Sequence, residues 1–207
     1  MATLKQYSLL FVLCVFIGLV AGFYSIPFPT LVPILILLAT LVIFVPLVNH
    51  LYLTKNMERV ERFLKARFKQ PIFSFYYFLA NNQMEEAHDA LLLVLKKYRS
   101  PQYQAAYKLA FALGKNDLSS EQGAVEQLKH KQLKIYYEGL LAVELRDFET
   151  AEEKANQASK PWMKEVILAK LHGKQGNEED EKSHIEKAIS LTRGLQRYLL
   201  VKWKKRP

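Results

Sequence analysis

The chain has 207 residues, a single cysteine and a formal net charge of +9. One cysteine excludes an internal disulfide framework and any zinc site built from several thiolates. The positive excess is concentrated in residues 54–69, beside the apolar N-terminal run, and at the C-terminus rather than along a working face, which argues against a nucleic-acid binder.

Taken in order, residues 1–53 are dominated by a run from Gln6 to Thr54 that contains no Lys, Arg, Asp or Glu. A bilayer crossing takes about 20 apolar residues, so the run is long enough for two. Pro27 and Pro29 divide it, because each removes a backbone donor and restricts the residue before it. The expectation is a two-helix transmembrane hairpin with crossings at about 8–23 and 31–48, joined by a tight turn around Tyr24–Thr30. Cys14 falls in the first run and reads as a small apolar packing residue.

The segment 54–69 follows with Lys55, Arg59, Arg62, Lys65, Arg67 and Lys69 against Glu58 and Glu61. Met57, Val60, Leu64 and Phe68 recur at helical spacing, so it reads as a basic amphipathic juxtamembrane helix. The turn between the expected crossings has no Lys or Arg. The positive-inside rule then predicts an integral protein of the plasma membrane with both termini in the cytoplasm. The six cations, together with Lys204, Lys205 and Arg206, are candidate contacts for anionic lipid headgroups.

Residues 70–192 carry a period. Pro71, Pro101 and Pro161 fall on a grid of about 30 residues whose missing point is Lys131. The turn signals Asn116-Asp117, Arg146-Asp147 and Gly176-Asn177 share that spacing. So do the columns Tyr103/Leu133/Met163, Tyr107/Tyr137/Ile167 and Phe111/Leu141/Leu171, which step by four along one helical face. Proline at a helix start is tolerated, since its missing N–H had no partner there. Four antiparallel pairs are expected: Pro71–Ser100, Pro101–His130, Lys131–Lys160 and Pro161–Ser190. The aromatic cluster Phe73–Phe78 is too dense for one buried face, and a seam against the 54–69 helix would absorb part of it. After Thr192, Gly194 breaks the chain, and 193–207 reads as a basic C-terminal helix that caps the stack or lies on lipid.

Gly139, Asp147-Phe148, Ala151, Ala158 and Pro161, with Leu168-Ala169, Gly176-Asn177 and Ala188 in the next unit, resemble the spacing of the tetratricopeptide repeat (TPR). The resemblance implies an all-α, TPR-like solenoid of about four helix pairs with a capping helix. It also implies a concave groove that binds peptide segments of other proteins, without catalysis. The family's groove positions fall here on Tyr76, Tyr136, Leu140 and Lys170. The function so implied is a membrane-anchored interaction adaptor, its partners another protein and the bilayer, with no nucleic acid and no cofactor.

No Gly-rich phosphate loop, catalytic serine triad or His-x-x-x-His zinc pair accompanies these elements. Two alternatives remain from the residues. One is a sensor of anionic lipid surfaces through the basic ends. The other, more remote, is a metal-dependent enzyme built on the Glu-x-x-His pairs Glu85/His88 and Glu181/His184.

Overall fold

The computed structural model describes residues 2–24 and 27–205, and among them the chain is all helical, with no strand. Ser25 and Ile26, in the expected turn, and Arg206, a candidate headgroup contact, lie outside the described residues. The N-terminal region forms α1 (Ala2–Phe23) and α2 (Phe28–Val48), which pack against each other.

Among the described residues, however, no helix is long and apolar enough to cross a membrane. This overturns the hairpin with crossings at 8–23 and 31–48, and with it the integral, plasma-membrane placement with cytoplasmic termini. Absence of charge is a weaker property than continuous apolarity. Gln6, Tyr7 and Ser8 in α1 and Thr30 in α2 lie near the starts of their helices and shorten the apolar part of each, and Thr40 falls within the second. Nor does α2 continue as a regular helix to the end of that run. It passes into a π-helical turn, Asn49–Leu53, closed by the Thr54 N–H on the Asn49 carbonyl at 2.8 Å.

Next comes α3 (Met57–Lys65), started by Asn56, whose Oδ1 accepts from the Arg59 N–H at 3.0 Å. It ends four residues before Lys69, in a turn. Its apolar face is a core face: Val60, Phe63 and Leu64 are buried in one cluster with Phe73, Ala80 and Tyr198. The aromatic excess of α4 (Pro71–Ala80) is absorbed at this seam. Phe63 meets Phe73 edge-on at 5.5 Å, and Phe68 meets Tyr77 at 4.9 Å.

The stack then proceeds through α5 (Met84–Lys97), α6 (Pro101–Lys115), a 3-10 turn (Leu118–Glu121) and the short α7 (Gln122–Glu126). It continues with α8 (Lys131–Glu144), α9 (Phe148–Gln157), α10 (Pro161–Gln175) and α11 (Glu178–Leu191). The first helices therefore begin at Pro71, Pro101, Lys131 and Pro161.

The four turns inside the pairs share one geometry. Asn82, Asn116, Arg146 and Gly176 each have positive φ. The next N–H in each case (Gln83, Asp117, Asp147, Asn177) returns to the carbonyl five residues back, on Phe78, Ala112, Ala142 and His172. That bond satisfies an orphan carbonyl at the helix end. The second pair departs from expectation, because its second helix is replaced by the 3-10 turn and a five-residue α7.

The last helix, α12 (Gly194–Lys204), does not simply extend the row. It packs on α11 and also on the π-helical turn, α3 and α4, so the end of the stack returns to its beginning. Gly194 makes this possible: its φ is +56°, its N–H donates to the Thr54 carbonyl at 2.7 Å, and a Cβ there would overlap the Leu51 carbonyl. Tyr198, fully buried, accepts from Asn81 Nδ2 at 3.0 Å. Lys202 donates to Asn81 Oδ1 at 2.7 Å and pairs with Glu61 at 3.2 Å.

Candidate binding cavity

The first helices step around a common centre, and one helical face of each points at it. From α4 come Tyr76 and Leu79; from α6, Ala106, Ala110 and Leu113; from α8, Leu133, Tyr136 and Tyr137; from α10, Trp162, Val166 and Lys170. The three- and four-residue steps are those of a single helix face. On the remaining side α12 supplies Gln196, Leu199, Leu200 and Trp203, again at helical steps. Together they line a half-open cavity of about 250 Å³.

Its interior is aromatic and aliphatic. Tyr136 lies 5.5 Å from Trp162 and 5.2 Å from Tyr137, centroid to centroid. Burial pushes the phenols of Tyr76, Tyr136 and Tyr137 well above the ordinary tyrosine range, so they stay neutral and remain able to donate. Tyr107, its ring tilted against that of Tyr76 at 6.0 Å, is pushed up to about 12, also chiefly by burial.

Lys170 is half-buried at the rim. Its ammonium donates to Oδ1 of the exposed Asn116 at 2.7 Å and lies 4.6 Å from the centroid of the Trp203 ring. Asn116 is the positive-φ cap of α6, so the turn chemistry of the second pair also places the partner of a lysine in the fourth.

Of the four groove residues expected from sequence, Tyr76, Tyr136 and Lys170 line this cavity and Leu140 does not. Leu140 is buried in the main core. One position before it, a Cβ on Gly139 would meet Ile167 Cδ1 at 2.8 Å, so α8 and α10 approach closely at that level. Sequence reasoning missed the contribution of α12. The signal was available in Leu199 and Trp203, but nothing local says that this face meets the centre of the stack.

The basic residues divide. Lys55, Arg59, Arg62, Lys65, Lys69, Lys204 and Lys205 are exposed, whereas Arg67 is half-buried with its guanidinium 4.0 Å from the Phe63 centroid. Because α12 packs on α3, the two basic segments belong to neighbouring helices. Lys65 is held by Glu61 at 3.0 Å and Lys204 by Glu186 at 2.6 Å.

The two Glu-x-x-His pairs lie on α5 and α11 and serve other contacts. His88 packs near Phe111, while His184 Nδ1 sits 2.7 Å from Glu165 Oε2 and its ring stacks on His172 at 5.1 Å. Among the described residues no group of three or more His, Cys, Asp or Glu side chains is placed to hold a metal ion. A second cleft, of about 330 Å³, lies between α5, α6 and the 3-10 turn, with His88, Lys108, Lys115 and Glu121 among its lining.

Comparisons with protein-family models, with curated proteins and with solved structures return no match.

Proposed function

We propose that the chain is a protein–protein interaction adaptor, a stack of helix pairs whose inner face holds an anchoring side chain of a partner. The observation that carries this reading is the convergence of Tyr76, Tyr136 and Lys170, from three different first helices, on one apolar cavity. A concave, mostly apolar site with a few placed polar groups is the usual form of a recognition pocket. Aromatic residues beside a cation are typical anchor partners at interfaces. Binding rather than catalysis is favoured because, among the described residues, the lining offers no carboxylate, imidazole or thiol to act as base or nucleophile.

A photo-crosslinking residue in place of Leu133, on the cavity wall, should capture a defined protein in cells. Capture should be lost when Tyr76→Ala, Tyr136→Ala and Lys170→Glu are combined in a chain that still melts cooperatively. Undiminished capture by the triple variant rejects the reading.

A further inference from the structure

The cavity is half-open, α12 lines one side of it, and its volume is about 250 Å³. An apolar cavity of about 150 Å³ holds a benzene molecule, so this one has room for a single aliphatic chain of about eight carbons. Such a chain would lie against Leu79, Ala110, Leu133 and Leu199, and one charged group stands at the rim above it. That group is a cation: Lys170, oriented by Asn116 Oδ1 on one side and the Trp203 ring on the other. A carboxylate arriving there gains a charge-assisted hydrogen bond without first entering the apolar interior. Among the described residues no acidic side chain lines the cavity to repel it.

From this geometry we propose that the cavity binds a medium-chain aliphatic monocarboxylate, tail inward and head on Lys170. The proposal gives the cavity of the adaptor reading a small-molecule occupant, which would compete there with a partner's side chain, and it does not depend on that reading. If ligand binding fails while partner capture survives, only the ligand site falls; the converse result removes only the adaptor.

Both of the chain's tryptophans, Trp162 and Trp203, line the cavity, so intrinsic emission reports its occupancy directly. The full chain is titrated with sodium octanoate and with n-octanol, followed by tryptophan emission and by calorimetry. The expected result is saturable binding of octanoate, weakened about tenfold by Lys170→Gln, with octanol affinity unchanged by that substitution. Ala110→Phe, which fills the cavity, should abolish binding of both; if it fails to fold by circular dichroism, Ala106→Leu takes its place. Absence of saturable octanoate binding to the native chain overturns the proposal. So does equal octanoate affinity in the Lys170→Gln chain, or native-like affinity in a folded, filled variant.

Discussion

The second and third helix pairs share one grid and one turn, yet only the third completes its second helix. Asn116 and Arg146 both have positive φ, and the Asp117 and Asp147 N–H groups return to Ala112 and Ala142 at 3.0 and 2.9 Å. Past that point they diverge. In the third pair, Ala151 and Ala155 are fully buried, and these small residues let α9 lie close against α8 and α10. In the second pair, the position matching Ala151 is Glu121, which stays half-exposed. An ionised carboxylate cannot enter that seam unpaired. The chain instead tightens into the 3-10 turn and buries Leu118, whose N–H, with that of Ser119, is held by the Glu144 carboxylate at 2.8 and 2.9 Å. Glu181 takes the same place in the fourth pair and α11 is nonetheless regular, because Gly173 faces that side chain where the second pair has Leu113. A shared turn fixes where a helix begins, and the room left in the seam for the residue there decides whether it continues.

The hardest way to break the contrast is to give the third pair the residue of the second. Ala151→Glu puts a charge at a fully buried position between α8 and α10. A loss of about 3–5 kcal/mol is expected in urea denaturation, large enough that α9 should lose its hydrogen-exchange protection first. Protection of α9 unchanged from the native chain would show that the seam is not what makes this helix regular.

Next in size is the bracket that holds the irregular turn. Glu144→Ala strands the Leu118 and Ser119 N–H groups and should cost about 1–2 kcal/mol. The loss should appear as faster exchange confined to 118–126. The same carboxylate gives a pH signature. Burial alone would push it up, but hydrogen bonds from Ser119 and Leu118, with Lys174 nearby, outweigh this and hold it below its ordinary value of 4.5. Its stabilisation is therefore complete above the unfolded-state pKa and is lost as the pH falls through the lower folded-state value. Protection of Leu118 and Ser119 should weaken across that acid window in the native chain and be independent of pH there in Glu144→Gln.

Much of this was legible in advance, and the gaps have physical causes. Prolines and turn residues act locally, so the helix starts at Pro71, Pro101, Lys131 and Pro161 could be read from spacing. Of the columns stepping by four, Leu133 and Tyr137 line the cavity, while Met163, Ile167, Leu141 and Leu171 are core and Tyr103 is exposed. Of the residues the resemblance implied, Tyr76, Tyr136 and Lys170 fall on the cavity. Three things were not legible, the last two because they are not local. The uncharged N-terminal run was read as two crossings because charge is easy to count and continuous apolarity is not, and the structure has no helix of that kind among the described residues. The 3-10 turn depends on Glu144, 26 residues beyond Leu118. The docking of α12 depends on Gly194 meeting Leu51 and Thr54, about 140 residues earlier, a contact that no periodicity encodes.

The two aspartates that follow the shared turns offer a smaller test. Asp147 caps α9 through Thr150 N at 3.1 Å, whereas Asp117 makes no such side-chain bond to the 3-10 turn. Asp147→Ala should lower the melting temperature and Asp117→Ala should leave it where it is. Equal effects would mean that the aspartates serve the turn and not the helix after it.

The mildest change sharpens the contrast from the other side. Gly123 lies in α7 with an ordinary backbone and nothing within 4 Å of where a Cβ would stand. Replacing glycine by alanine where the backbone already suits alanine stabilises by about 0.4–1 kcal/mol, mainly through the freedom glycine retains when unfolded. Gly123→Ala should therefore stabilise the chain by about 0.5–1 kcal/mol, read as a rise in denaturation midpoint at constant slope. Pairing it with Glu121→Ala asks whether the second pair can be converted. If the seam residue is the obstacle, the double variant gains helical signal between Leu118 and Gln127 and loses its need for Glu144. Should Glu144→Ala remain as damaging in that background, the irregular turn is imposed by the Leu118 anchor and not by the charge at Glu121.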